Sequence, residues 1–189
     1  MRGMDAPSDS LAPALLVSMP QLADPNFAQR VVLLCRHSAE GAFGLVVNHP
    51  LPVPARVVIQ DESSPETRAE TELPVWLGGP VDQERSWILL GEDPGGEDAV
   101  PVADGLYLST SPALLRRLTG STPPRARLLV GYAGWGPGQL DAELRESAWL
   151  TSDVTIDLVF ETPPDRMWKE AIRRLGADPG ALHISHGVH

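Results

Sequence analysis

A chain of 189 residues, 42% of them hydrophobic, is long enough to fill one core and short for two, so a single domain is expected. Its net charge of −10 and pI near 4.8 argue against a general nucleic-acid binder and an anionic membrane surface, since both contacts need a basic face. A lone cysteine rules out an internal disulfide, no apolar run reaches the roughly 18 residues of a membrane span, and residues 1–10 lack the apolar middle of a secretory signal, so a cytoplasmic protein is expected.

Residues 1–13 read as a polar, proline-containing flexible leader and 183–189 as a flexible tail, leaving one domain over 14–182. Leu15–Met19 is a short apolar strand stopped by Pro20, and Asp24-Pro25 reads as the cap and first residue of one or two helical turns ending at Gln29. Val31–His37 and Ala42–Asn48, joined by Ser38–Gly41, predict an antiparallel hairpin; their apolar residues do not alternate cleanly with polar ones, so both faces are expected to be covered. His49–Pro74 is polar and broken, with no apolar stripe from Asp61 to Glu72, and reads as an exposed loop or short solvated helix. Val75–Leu77 returns to the core and ends in the tight turn Gly78-Gly79-Pro80. Ser86–Leu90 and Leu106–Leu108 are further strands around an acidic loop, Gly91–Asp98.

Pro112 begins a helix capped by Thr110 or Ser111, with Leu114, Leu115 and Leu118 as its inner face. The stretch that organises the chain follows. Leu128–Val130 reads as a strand, Gly131–Gly138 as a glycine-paved turn with Pro137 at a first helical position, and Leu140, Leu144 and Ala148 as the stripe of a helix, together a βα unit. Thr155–Phe160 predicts a strand. Pro163-Pro164-Asp165 opens a helix in which Met167, Trp168, Ala171, Ile172 and Leu175 share a face and Gly176 supplies the cap. Six or seven strands with three helices, some hairpin-linked and some helix-linked, predict an α/β (mixed α+β) domain: a mixed sheet with helices packed against it.

Three constellations can carry chemistry. A strand, a glycine turn and a helix N-terminus can cradle an anion with backbone N–H groups, which marks Gly134, Trp135, Gly136, Gly138 and Gln139 as ligand-binding candidates. The stretch lacks the Gly-Lys-Ser/Thr of a phosphate loop, and a dinucleotide fingerprint would need glycine where Gln139 stands, so close backbone packing is the alternative. Gly78 and Gly79 form a second glycine turn at a strand end and join the ligand-binding candidates. Cys35 and His37, two apart on a strand, share a face about 7 Å apart, as a thiolate and its activating imidazole would; the alternative is a core cysteine beside a strand-end histidine. His183, His186 and His189 form H-x2-H-x2-H without a carboxylate or thiol placed nearby, so no metal and no cofactor is expected. Gly-x-Ser-x-Gly and His-Glu-x-x-His are absent.

Leu15–Pro20 with Asp24-Pro25-x-Phe27, Arg30–Cys35 with His37, Gly41-Ala42-x-Gly44–Asn48, Gly78–Val81, Gly131–Leu140 and Ala148–Leu150, with Trp168 and Leu175-Gly176, together resemble the AlgH/YqgE family of uncharacterised bacterial proteins. The resemblance covers the chain from Leu15 to about Leu182 and implies a compact α/β fold with a mixed, partly barrel-like sheet. Some relatives carry a transcriptional-regulator label, yet this chain has no helix-turn-helix signature and the wrong charge for direct DNA contact. Three functions compete. The first is a non-catalytic binding protein, with a possible indirect regulatory role, that takes a small molecule or a protein partner at its glycine turns and acts as a monomer. The second is a thiol-dependent or hydrolytic enzyme using Cys35 and His37, and the third a direct DNA-binding regulator.

Overall fold

In the computed structural model, which describes residues 10–182 apart from positions 62, 97, 121, 122 and 124, the first strand is β1 (Ala14–Ser18). It pairs with β2 (Val31–Ser38), which forms an antiparallel hairpin with β3 (Gly41–Val46). Both faces are covered: Leu15, Val17, Val31 and Leu33 enter one apolar cluster, and Leu16, Val32 and Leu34 another. Residues 24–29 differ from expectation, since they form consecutive tight turns. The Asp24 side chain accepts the Asn26 amide at 2.9 Å, its carbonyl accepts the amides of Phe27 and Ala28, and Gln29 takes a left-handed φ of 56° that ends any helix.

The polar segment expected to be a loop contains a second hairpin, β4 (Ala55–Asp61) with β5 (Ser64–Leu73), forming a two-stranded sheet of its own. The β-branched run Val57-Val58-Ile59 lies opposite Thr71, Glu70 and Ala69, and Arg56 opposite Glu72. Cross-strand pairing of this kind needs no apolar stripe, so hydropathy misses it. Next come β6 (Val75–Leu77), β7 (Val81–Leu90), β8 (Val100–Ala103) and β9 (Leu106–Ser109). Helix α1 (Pro112–Gly120) is capped by Ser111, whose Oγ accepts the Leu114 amide at 3.3 Å, and it buries Leu114 and Leu118.

The glycine-rich stretch runs on as strand for ten residues, β10 (Ala126–Trp135). It is followed by α2 (Gln139–Arg145), β11 (Trp149–Ser152), a π-helical turn (Asp157–Glu161), α3 (Pro164–Arg174) and α4 (Pro179–Leu182). The π-helical turn stands where alternation predicts a strand. Leu158, Val159 and Phe160 are consecutive and all buried, which a strand with one open face cannot achieve; Arg174 of α3 holds Asp157 in a two-pronged ion pair at 2.7 and 3.3 Å.

Nine strands form one mixed, curled half-barrel sheet in the order β11-β1-β2-β3-β10-β7-β9-β8, with β6 parallel beside β10. The seam is β10: its first half lies between β6 and β7, and Ala133–Trp135 pairs with β3. Gly131 makes the joint. It has φ 73° and sits in a bulge between Val130 and Tyr132, where an added Cβ would overlap the Gly79 carbonyl oxygen. The expected turn thus shrinks to Gly136-Pro137-Gly138, and Pro137 lies before the helix, which starts at Gln139 after a left-handed Gly138. Helix α3 covers the first cluster, α2 the second, and α1 a third around Leu73, Val75, Ile88 and Leu128. Among the described residues no helix is long and apolar enough to cross a membrane.

Candidate functional site

The glycine candidates fall into three settings. Gly78 and Gly79 are buried, and a Cβ on either would run into the β10 backbone at Gly131 or Tyr132, so both stand away from any surface a ligand could reach. Gly136, Gly138 and Gln139 form an exposed turn that is tied within itself: the Gln139 side chain accepts the Gly136 amide at 3.0 Å, and the Gln139 backbone amide donates to the Gly136 carbonyl at 3.1 Å. What the turn builds is a platform for Trp135. Its indole donates to Glu143 Oε2 at 2.9 Å, and the same oxygen accepts the Trp149 indole at 2.8 Å, while Phe27 stacks on Trp135 at 6.4 Å between centroids. Glu143 Oε1 accepts from Gln139 Nε2 at 3.1 Å, so one carboxylate joins helix, turn and two tryptophans.

Cys35 and His37 do not come together. The hairpin register slips between Leu34 and Arg36, leaving Cys35 as the extra residue of a bulge, and after a bulge the inside–outside alternation is inverted. Cys35 therefore stays with Leu33 against the first cluster, and its Sγ lies 3.5 Å from the Leu33 carbonyl. His37 is turned toward α2: its Nδ1 accepts the Leu11 amide at 3.1 Å and its Nε2 lies 3.2 Å from Asp141 Oδ1. With Nδ1 accepting, the neutral ring carries its hydrogen on Nε2, facing Asp141. Burial pushes the Cys35 thiol up to about 12, far from a nucleophile's range. Alkylation of Cys35 by iodoacetamide at pH 8 is accordingly expected to run roughly a thousandfold slower in the native protein than in the unfolded chain. Equal rates would mean a free thiolate and would restore the thiol reading.

A cleft of about 650 Å³ opens where the first cluster reaches the sheet surface, between β2, β3, β7, β8 and β10. Its floor is aromatic: Phe43 lies 4.9 Å from Trp87 and 5.2 Å from Tyr132, and Trp87 meets Tyr132 edge-on at 6.3 Å between centroids. Arg85 places its guanidinium 4.8 Å over the Trp87 ring, and Arg36 stands on the opposite strand as a second exposed cation. The Trp87 indole N–H is enclosed and finds no acceptor among the described residues. Gly134 belongs to the wall, where a Cβ would press to 3.3 Å against the Tyr132 ring, and Cys35 and Trp135 complete it. Of the residues singled out from sequence, Cys35, Gly134 and Trp135 meet here; Arg36, Phe43, Arg85, Trp87 and Tyr132 were missed, since they lie on four strands, β2, β3, β7 and β10, that only long-range pairing brings together.

The histidines at 183, 186 and 189 lie outside the described residues, among which no group of three or more His, Cys, Asp or Glu is arranged to hold a metal.

The sequence profile of the AlgH-like family matches residues 15–180. The chain is similar to the UPF0301 protein of Anaeromyxobacter dehalogenans strain 2CP-C, 44% identical over 97% of this chain and 96% of the relative. It is also similar to that of Myxococcus xanthus strain DK1622, 37% identical over 95% and 99% of the two. The solution structure of the AlgH protein from Pseudomonas aeruginosa superposes with a TM-score of 0.71 at 31% identity over all of both chains. A crystal structure from Corynebacterium diphtheriae reaches 0.69 at 20% identity, covering 94% of this chain and 92% of that one, a likeness of fold.

Proposed function

The chain belongs to the AlgH-like family, and from that premise we propose that it is a non-catalytic cytoplasmic binding protein whose cleft over Phe43, Trp87 and Tyr132 takes a planar, anionic small molecule. The observation that carries the reading is the aromatic floor flanked by Arg85 and Arg36 in a protein of net charge −10. Three rings offer aromatic surface, and two cations select a carboxylate or similar anion. The protonated Cys35 thiol and the separation from His37 favour binding over thiol catalysis. A regulatory role would then pass through the bound ligand, since the acidic surface disfavours direct contact with DNA.

Tryptophan fluorescence titrated with planar aromatic carboxylates, 2-naphthoate first, tests this. Saturable quenching is expected, weakened about tenfold by Arg85→Gln through loss of a charge-assisted contact and at least severalfold by Trp87→Ala, with Gly136→Ala unchanged. Quenching that never saturates, or that survives both cleft variants, would reject the cleft as the site.

A further inference from the structure

At the other end of β2, roughly 20 Å from Arg36 by strand rise, lies a pocket of about 380 Å³ between the start of β2, the segment after β3 and α3. We propose that this pocket is a second, independent binding site, for a tetrahedral oxyanion of the phosphate type, held by Arg30, His49 and Lys169. It does not depend on what occupies the aromatic cleft.

The site is built around a guanidinium without a counter-charge. Arg30 donates from Nη1 to the Asn48 carbonyl at 3.1 Å, its Nε is enclosed with no acceptor, and no carboxylate lies within ion-pair distance of it among the described residues. Burial lowers the Arg30 pKa, the mark of a cation drawn partly out of water without compensation. His49 and Lys169 line the same pocket and likewise have no acidic partner among the described residues. In a molecule of net charge −10, the cations Arg30 and Lys169, lining one pocket with His49, form a local reversal of the field.

The backbone beneath them is held in an unusual form. Gln29 has φ 56°, a left-handed conformation that a residue with a side chain adopts at a cost, and the fold fixes it. Asn48 is buried and makes three bonds there: Nδ2 donates to the Gln29 carbonyl at 3.0 Å, Oδ1 accepts the Val31 amide at 2.9 Å, and its carbonyl takes Arg30. Ser18 Oγ accepts the Arg30 amide at 3.0 Å. The polar hub therefore positions Arg30 from both sides. Such precision at a strained residue beside an unpaired cation is what a recognition site requires and a surface turn does not. Among the described residues Asp165 is the one acid on the wall; it is exposed on α3, one turn before Lys169.

Burial first, then the Arg30 charge, keeps the His49 pKa below its ordinary value. A bound dianion would offset the second cause and draw a proton onto His49. Binding should thus strengthen as pH falls from about 7.5 to 5.5, with Arg30, Lys169 and Asp165 as the other charged groups that line the pocket. Sulfate keeps its charge across that range and isolates the histidine.

The test is an amide NMR titration of the full chain with sulfate, inorganic phosphate and glycerol 3-phosphate, against chloride at matched ionic strength. Saturable shifts at Gln29, Arg30, Asn48, His49 and Lys169 are expected, with affinity reduced about tenfold in Arg30→Gln and severalfold in Lys169→Gln, and the sulfate pH dependence flattened in His49→Gln. Tighter binding of glycerol 3-phosphate would assign a phosphate monoester, and equal binding the free ion. Should Arg30→Gln fail to fold, Arg30→Lys and the exposed Lys169→Gln decide. No saturable shift up to about 10 mM, a chloride response of equal size, or affinity indifferent to Lys169 and His49 would overturn the proposal.

Discussion

Trp168→Ala is expected to lower the stability by about 3–5 kcal/mol, read from the urea midpoint at unchanged slope. Trp168 is 3% exposed and lies in the first cluster with Met167, Ala171 and Ile172, the face by which α3 covers the sheet. Removing the indole opens a cavity that backbone relaxation cannot fill, because the floor is β1 and β2, strands buried on both sides. A second effect adds to the first. The indole Nε1 donates to the Ser18 carbonyl at 2.8 Å, and the Ser18 amide donates to the Arg30 carbonyl while its Oγ accepts the Arg30 amide, so the ring ties the last long helix to the first strand pair. Trp168→Phe separates the two, keeping most of the area while losing the hydrogen bond, and should cost about 1–2 kcal/mol. A loss below about 1 kcal/mol for the alanine variant would mean that α3 is not seated as described.

The placement of Trp168 could be read from residue spacing alone, and the reason shows where such reading ends. A helical stripe such as Met167, Trp168, Ala171 and Ile172 is a local signal, complete within three turns. So is the β2–β3 hairpin, whose apolar residues lie on both faces of neighbouring strands. The β4–β5 hairpin was missed because its partners are charged and polar, and the π-helical turn because its alternation was accidental. The deeper failure lies in parity. Reading side chains two apart as sharing a face holds only while a strand is regular, and two of the strands that build the cleft, β2 and β10, carry a bulge, at Cys35 and at Gly131. One bulge sends His37 to the far side from Cys35; the other brings Tyr132, rather than residue 131, to the face of Leu129. No pattern in either segment announces an extra residue. It appears only when the partner strand is known, and with it go the rings of Phe43, Trp87 and Tyr132, contributed by three strands and brought together by long-range pairing.

The second bulge leaves no room for a single added carbon. Gly131→Ala is expected to cost about 3 kcal/mol or more, from two causes of similar size: a left-handed φ of 73° that an L side chain adopts at about 1–2 kcal/mol, and overlap with the Gly79 carbonyl. The overlap cannot be relieved by moving Gly79, because that glycine is itself pressed against Tyr132 and its neighbour Gly78 is hydrogen-bonded to Val130 at 2.8 Å and to Val46 at 2.7 Å. Gly138→Ala is the control. Gly138 has nearly the same φ, 71°, with open space around the position a Cβ would take, so its variant should show the conformational cost alone, about 1–2 kcal/mol. The difference between the two midpoints measures the backbone contact that locks β6, β7 and β10 together. Because Gly131 sets the face on which Tyr132 emerges, relaxation around a methyl there must rotate the ring out of the cleft, and quenching of Trp87 by an aromatic carboxylate should weaken in Gly131→Ala while remaining intact in Gly138→Ala. Equal stability losses in the two variants would mean that the bulge has room to give, and that the cleft owes its shape to the surrounding rings rather than to the glycine contact beneath them.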